Sequence, residues 1–503
     1  MNATFPFQIY PAIPVAVTVL ETWKWPLLMT LSPLLVSLFF QARRTSPMAR
    51  GVTPGGPFGI FTLQTIVKHI KHNHFYEWMT VCLDRPGHTA EMTIFGTRYI
   101  LTEEPENIKA IFTSQVDTMT LFSTSNADPK GSSKHMAKAI SPRNPSVISL
   151  GTPYLRIASI KESDIRITEC HVKQLLEIIA SSPDPIDVYD AVDKAQLNVA
   201  LHRFLGQKTV ADIDMYEKFR KAKHIIGFAG TLQMFVGPIG AVVGWLISRN
   251  AKKEIDAYLE SLLDMMSSPS QGSNLFIDDS VNAERCRSIA ESKPTRELLL
   301  ILLLAGKDPL VTGITWTLYH LAQHPEVVQR LRTEIASSIG YDRLPSLQDL
   351  DQMSFLKNVI RESLRLHPPV GFNFREALID TTLPTGGGAD GQEAIVVPKG
   401  NVAFVSVIGM QRRCASSIGS DADEWRPDRW GNWTPPNGEY VPFSFGPRVC
   451  PGQAFGQFQM EYTVVRILQR FSALSYHGRE QAIKFEINTK PAFPTLCRFH
   501  SRG

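Results

Sequence analysis

The stretch Phe443-Ser-Phe-Gly446-Pro-Arg448-Val-Cys450-Pro-Gly452 has the residue types and spacing best suited to chemistry. It presents one cysteine on a tight loop leading into an apolar helix predicted over Phe455–Leu474. Glycine lets a backbone turn sharply and approach a flat ligand closely. Amides around a thiolate can donate hydrogen bonds that tune the sulfur, and an arginine fork suits a carboxylate. The bland alternative is a buried structural cysteine, since free cysteine often serves as a small hydrophobe. Upstream, Glu362-Ser-Leu-Arg365 lies on a helix predicted over Met353–Leu366. Its i, i+3 spacing puts both charges on one face. As a solvated surface pair it would be worth little. His367-Pro368-Pro369 ends that helix, because proline cannot continue it and restricts its predecessor. Pro427-Asp428-Arg429-Trp430 follows in a Pro/Trp/Asp-rich coil just ahead of the cysteine loop.

Taken in order, Phe443, Gly446, Arg448, Cys450 and Gly452 fill every fixed position of F-x-x-G-x-R-x-C-x-G and resemble the haem-binding loop of the cytochrome P-450 superfamily. That resemblance implies haem b bound through the Cys450 thiolate, in a mainly α fold with small β-sheets. A thiolate axial ligand pushes electron density towards the iron and favours O–O cleavage. It also implies that Glu362, Arg365 and Arg429 form a buried cluster behind the haem. Such a cluster must be fully paired, because losing one partner strands an uncompensated charge. Its expected role is structural support.

Between these motifs the wording Arg375-Glu-Ala, Asp380-Thr-Thr-Leu-Pro384-Thr-Gly-Gly-Gly388 and Val397-Pro-Lys-Gly400 looks like the fungal alkane and fatty-acid hydroxylase branch. Arg375, like Arg448, is then a candidate to pair a haem propionate, which suits a planar guanidinium. A strand charge at the surface is the alternative for Arg375.

A helix predicted over Arg296–Ala322 carries Ala305-Gly306-Lys307-Asp308-Pro309, which aligns with the family's A-G-x-D-T oxygen-activation motif. Proline stands where the alcohol belongs. It removes an amide hydrogen bond and clashes with the carbonyl four residues back, so it should free the Ala305 carbonyl and kink the helix. Thr312 lies one turn on and could substitute through a water; a hydroxyl bonded back to its own helix is the competing reading. Asp308 is expected to feed protons from solvent, with a salt bridge as its alternative.

A second departure lies between Val116 and Ile165. The family usually places W-x-x-x-R there, both side chains reaching haem propionates. This segment has no tryptophan, and Tyr154 is followed four residues on by Ala158, with Arg156 a poor substitute. Its Pro/Ser/Lys composition reads as loop. Either the propionates are held differently here or the segment is not native sequence.

The 503 residues carry 52 basic and 48 acidic side chains, which leaves no nucleic-acid footprint. Six scattered cysteines show no metal spacing, in keeping with a reducing compartment. Residues 1–50 read as an N-terminal membrane anchor with a basic flank: Pro26–Phe40 is apolar, the anchor is read from about Trp23 to Phe40 with Lys24 snorkelling, and Arg43, Arg44 and Arg50 follow it. The positive-inside rule then puts the rest of the chain in the cytosol. Residues 51–503 read as one haem–thiolate catalytic domain. Short alternating stretches, Glu91–Phe95 and Thr97–Leu101, predict a hairpin. Helices are predicted at Ile165–Ala180, Val188–Leu205, Met215–Lys223, Ala251–Met266 and Pro325–Ser338. Gly227–Trp245 is apolar and Gly-rich, readable as a membrane-touching access lip or a buried helix pair.

The resemblance implies a monooxygenase in the endoplasmic reticulum membrane, its catalytic domain facing the cytosol. It would oxidise a lipophilic substrate, either a fatty-acid- or alkane-like chain or a fungal secondary metabolite. The chain has no room for a flavin module, so electrons would come from an NADPH-cytochrome P-450 reductase-type flavoprotein. Arg412, Arg413 and Arg448 are its candidate basic docking surface. Two alternatives remain: a haem–thiolate isomerase or dehydratase that does not use O2, and a haem-binding protein without turnover because of the 116–165 segment.

Overall fold

The computed structural model describes residues 59–115, 118–121, 160, 162–205, 213–267, 299–300, 303–413 and 418–501. Helices α1 (Ile60–Lys71) and α2 (Phe75–Leu83) precede a hairpin of β1 (Thr89–Ile94) and β2 (Thr97–Thr102). Its two-residue turn puts Phe95 at φ 46° and Gly96 at φ 82°, the paired left-handed geometry that matches strand twist. Next come α3 (Pro105–Phe112) and β3 (Met119–Leu121), then α4 (Glu162–Ser181), β4 (Ile186–Asp187), α5 (Val188–Leu205) and α6 (Ile213–Ser267). The central helix α7 (Asp308–Leu321) is followed by α8 (Pro325–Ser338), α9 (Leu347–Gln352) and α10 (Ser354–Leu366). Strands β5 (Phe372–Ala377), β6 (Thr381–Gly387), β7 (Glu393–Val397) and β8 (Val402–Ser406) lead to α11 (Val407–Arg413). The chain ends with α12 (Gln453–Arg470), β9 (Phe471–Tyr476), β10 (Ile483–Lys484), β11 (Lys490–Pro491) and β12 (Leu496–Ser501).

The architecture is mainly helical with small sheets, the largest ordered β1-β2-β8-β5-β3. Strand β8 runs parallel to β2 and antiparallel to β5; it is buried along its whole length, with four apolar residues, Val402–Val405, ahead of a buried Ser406. The largest core joins α4, α5, α7, α8, α10 and α12 around Ile314, Leu331, Leu356 and Val464. Helix α7 is buried on every side from Leu310 to Leu321, as a helix at the centre of a large chain must be. Trp316 fixes its second half, stacking on His367 with ring centroids 3.7 Å apart and donating to the Thr489 carbonyl at 2.9 Å.

Several boundaries differ from the sequence-based expectation. The helix predicted from Arg296 is interrupted: residues 305–307 form a turn, and α7 starts afresh at Asp308 with Pro309 in its first turn. Proline is favoured there, because its missing amide would be unpaired anyway, so the expected kink is a full break. Helix α12 stops at Arg470, and Phe471–Leu474 belongs to strand β9. The helices predicted at 215–223 and 251–266 lie in one helical run, α6. That run doubles back on itself, since a Cβ on Gly244 would sit 3.0 Å from the Ala229 carbonyl and one on Gly240 against Leu232. Pro427–Gly431 is a short 3-10 helix rather than coil. The anchor predicted within residues 1–50 lies outside the described residues, as does the whole of 122–159 with Tyr154, Arg156 and Ala158. Among the described residues no helix is long and apolar enough to cross a membrane.

Candidate active site

Cys450 sits at the end of a loop that folds back on itself. Its amide donates to the Phe443 carbonyl at 2.9 Å, while the Gln453 amide donates to the Cys450 carbonyl at 3.3 Å and hands the chain to α12. Ser444 and Gly446 take left-handed backbone angles, φ 68° and 70°. At Gly446 glycine is obligatory twice over, because a Cβ would stand 2.5 Å from the Phe112 carbonyl oxygen, besides the strain of φ > 0. Phe443 and Leu310 both pack against Gly456, one turn into α12. The loop is thus clamped between the end of α3 and the first turn of α7. Arg448 lies in the loop's short 3-10 turn.

Cys450 is open on its outer face, and Val449 beside it is 47% exposed. The protein packed behind it raises the thiol above its ordinary pKa, against the lowering pull of the Gly452 amide. A single thiol aimed outward beside exposed apolar surface, with an amide at its sulfur, is the donor set a haem–thiolate site needs. The residues present therefore fit the group. Cys82 and Cys497 are buried instead, their thiols pushed up to about 11 and about 12 by desolvation, and suit packing alone.

Arg375 is buried on β5, its Nη1 donating to the Phe374 carbonyl at 2.9 Å and its guanidinium 5.4 Å from the centre of the Phe112 ring. Phe112 therefore joins the two: its ring faces Arg375 and its backbone faces Gly446. Nothing in the sequence marked this phenylalanine, an ordinary apolar residue at a helix end.

The structure brings Glu362, Arg365 and Arg429 together in full burial. Arg365 makes a two-pronged pair with Glu362, Nε to Oε2 and Nη2 to Oε1, both at 2.9 Å. Arg429 Nε reaches Oε1 at 2.8 Å, the Arg426 amide reaches it at 2.9 Å, and Trp430 Nε1 reaches Oε2 at 3.0 Å. The spare arginine donors go to backbone carbonyls of Ala422, Glu424 and Asp421, and Arg429 Nη1 also pairs with the Asp421 carboxylate at 3.3 Å. Arg426 escaped the sequence reading, and Trp430 was read as part of the motif without a role in the cluster.

Asp308 and Thr312 are differently placed. The Thr312 hydroxyl donates to the Asp308 carbonyl at 3.0 Å and is wholly buried, the back-bonded geometry. Asp308 is held by two lysines, Lys223 at 2.6 Å and Lys307 at 2.8 Å. Burial would raise its carboxyl, but Lys307 and Lys223 outweigh it and hold the group below its ordinary pKa. Arg412 and Arg413 are not a free basic surface. Arg412 donates twice to the Leu366 carbonyl, and Arg413 pairs with Glu103 and Asp84 and donates to the Thr80 carbonyl.

The comparisons agree with this geometry. A family model described as Cytochrome P450 matches residues 54–495. Cytochrome P450 monooxygenase pvhE of Talaromyces variabilis is 28% identical over 490 residues, 88% of each chain. Cytochrome P450 52E1 of Candida apicola is 26% identical over 465 residues, 83% of this chain and 84% of its own. Cytochrome P450 52-E3 of Starmerella bombicola reaches 40% over a shorter stretch of 201 residues, 38% of each chain. Because the match runs from ahead of α1 to the residue before β12 and takes in the clamped Cys450 loop, the chain belongs to the cytochrome P450 family of haem–thiolate monooxygenases.

Proposed function

We propose that this enzyme oxidises an unactivated C–H bond of a lipophilic small molecule, using O2 and electrons from a separate NADPH-dependent flavoprotein reductase. The observation that carries this reading is the outward-facing Cys450 on its clamped loop. When bound there, haem supplies the activation of dioxygen that no side chain can provide. Cys450 would ligate it as thiolate, the form that the Gly452 amide favours against the burial that raises the thiol. Arg375 and Arg448 are the proposed partners of the propionates. Phe443, Gly446 and Gly452 keep the loop narrow enough for a flat ring.

For the substrate, the wording from Arg375 to Gly400 supports a fatty-acid- or alkane-like chain, and Pro309 in place of the usual alcohol supports a specialised enzyme acting on a fungal secondary metabolite as the other class. The apolar doubling-back of α6 exposes Phe228, Val242, Trp245 and Leu246. Such a patch marks an interaction surface, here an access lip at a membrane. With residues 1–50 as anchor and 51–503 as the catalytic domain, the enzyme would sit on the cytosolic face of the endoplasmic reticulum.

A second reading is favoured by one observation: Pro309 replaces the alcohol and Asp308 is ion-paired. It is a haem–thiolate isomerase or dehydratase that does not consume O2. The haem-loaded chain decides between them. A reduced, carbon-monoxide-bound spectrum at the thiolate position, lost in Cys450→Ala, supports ligation through Cys450. One product per NADPH and O2 consumed then identifies the monooxygenase, and product without O2 uptake identifies the isomerase. Failure to retain haem favours a protein without turnover.

A further inference from the structure

Lys307, the variable residue of the Ala305–Pro309 run, is wholly buried on the turn that interrupts the central helix. Its ammonium sits among three oxygens contributed by three different elements. Asp193 Oδ1 on α5 is a direct ion-pair partner, the Tyr216 hydroxyl on α6 lies at 3.0 Å, and Asp308 Oδ1 at the start of α7 lies at 2.8 Å. Tyr216 closes the circuit by donating to Asp193 Oδ2 at 2.6 Å. Lys223, two turns further along α6, takes the other oxygen of Asp308. The remaining groups facing this centre are Arg220, 4.0 Å from Asp193 and bound to Asp190 and Glu217, with Tyr189 and Tyr258 nearby. Burial would discharge such a lysine, yet Asp193 and Asp308 outweigh it and keep Lys307 protonated.

A buried charge network of this kind is weak support for stability, because desolvation offsets most of the attraction. Its best physical use is to fix one geometry. The geometry here is special: Pro309 prevents the helix from running through, so backbone continuity does not set where α7 begins. The first turn of α7 also places Leu310 on Gly456, beside Phe443 of the thiolate loop.

We propose that Lys307 is a positioning residue: bound by Asp193 and Tyr216, it fixes the first turn of α7 over the Cys450 loop and ties that turn to α6. Asp308, shared between Lys307 and Lys223, is the second strand of the same tie. Movement of the N-terminal half of α6 is thereby transmitted to the space beside the thiolate loop. This inference rests on the family assignment and is independent of which substrate is oxidised.

The test uses the haem-loaded full chain and imidazole as probe. Wild type, Lys307→Met, Asp193→Asn and the double variant are compared by imidazole Kd, read from the haem absorption shift, and by amide hydrogen exchange. A thiolate-type carbon-monoxide band in wild type is the precondition; its absence counts against the haem–thiolate reading itself. Positioning predicts that Lys307→Met exchanges residues 308–312 and 213–226 about tenfold faster, while α10 and α12 stay protected. It also predicts a shift in imidazole Kd of about fivefold with the carbon-monoxide band unmoved. The double variant separates positioning from mere charge stranding. Removing both charges should restore thermal stability, but exchange and Kd should stay altered because the tie is gone. Full recovery of exchange and Kd in the double variant would overturn the proposal, as would unchanged exchange at 308–312 in Lys307→Met.

Discussion

Two buried charge clusters flank the helical core, and they differ in what surrounds their ions. Around Glu362, one carboxylate accepts from two arginines, an indole and a backbone amide, and the arginines' remaining donors go to backbone carbonyls, apart from Arg429 Nη1 on the Asp421 carboxylate at 3.3 Å. Around Lys307, the partners are side chains from α5, α6 and α7. The first cluster stitches one helix to a loop mostly through fixed peptide groups; the second ties three helices through movable side chains. Peptide groups satisfy charge without adding rotamer freedom, so the Glu362 cluster is built as a lock. The Lys307 cluster can transmit movement because its contacts are few and its members sit on separate bodies.

The largest expected effect sharpens that contrast. Glu362→Ala strands two buried guanidinium groups and should cost about 4–5 kcal/mol, the upper end for a broken buried pair, measured as loss of folded holoprotein in urea. Lys307→Met should cost less, about 3 kcal/mol, because Asp308 keeps Lys223 and Asp193 keeps Tyr216. Equal costs would break the distinction between lock and tie.

The two regions also separate on the pH axis. Beside the Glu362 cluster lie His320 and His367, which burial first, and then nearby cationic groups (His324, Arg412 and Arg365 for His320; Arg412, His320 and Arg365 for His367), hold well below the ordinary histidine range. They stay neutral when folded and take up protons when unfolded, so stability falls as pH drops below about 6.5, by about 1.4 kcal/mol per pH unit for each. His320→Phe should flatten that slope by one proton. The Lys307 region responds later. Asp193 is lowered to about 2, with burial outweighed by Lys307 and Lys223, and Asp308 is lowered as well. Their contribution is present above about pH 3.9 and is lost only on further acidification. Denaturant titrations at pH 7, 5.5 and 3.5 resolve the two limbs; one limb only would merge the regions.

The smallest effect concerns the helix break itself. Pro309→Ala should cost about 0.4–1 kcal/mol, through greater freedom of the unfolded chain at a first-turn position, read as a small fall in Tm. A gain in stability would mean that the helix prefers to run through and that Lys307 works against it.

Sequence alone determined what depends on short spacing. The ten residues around Cys450, the i, i+3 pair of Glu362 and Arg365, the β1–β2 hairpin and helices such as Val188–Leu205 and Pro325–Ser338 are local patterns. Each is written in a single turn or one helix face, where neighbours along the chain are neighbours in space. Proline at 309 was legible as a disturbance, because its missing amide is a property of the residue. Whether the helix bends or restarts was settled by packing: Leu310 seats on Gly456, and Lys307 finds oxygens more than ninety residues away on α5 and α6. The same holds for Phe112, an apolar residue that links Arg375 to Gly446 only once α3 is laid against the loop. Asp308 makes the point most directly. In sequence it is an acid beside a proline within a predicted helix; only the arrival of Lys223 from α6 makes it a fixed ion-pair partner, since a charge's role is set by what shares its burial.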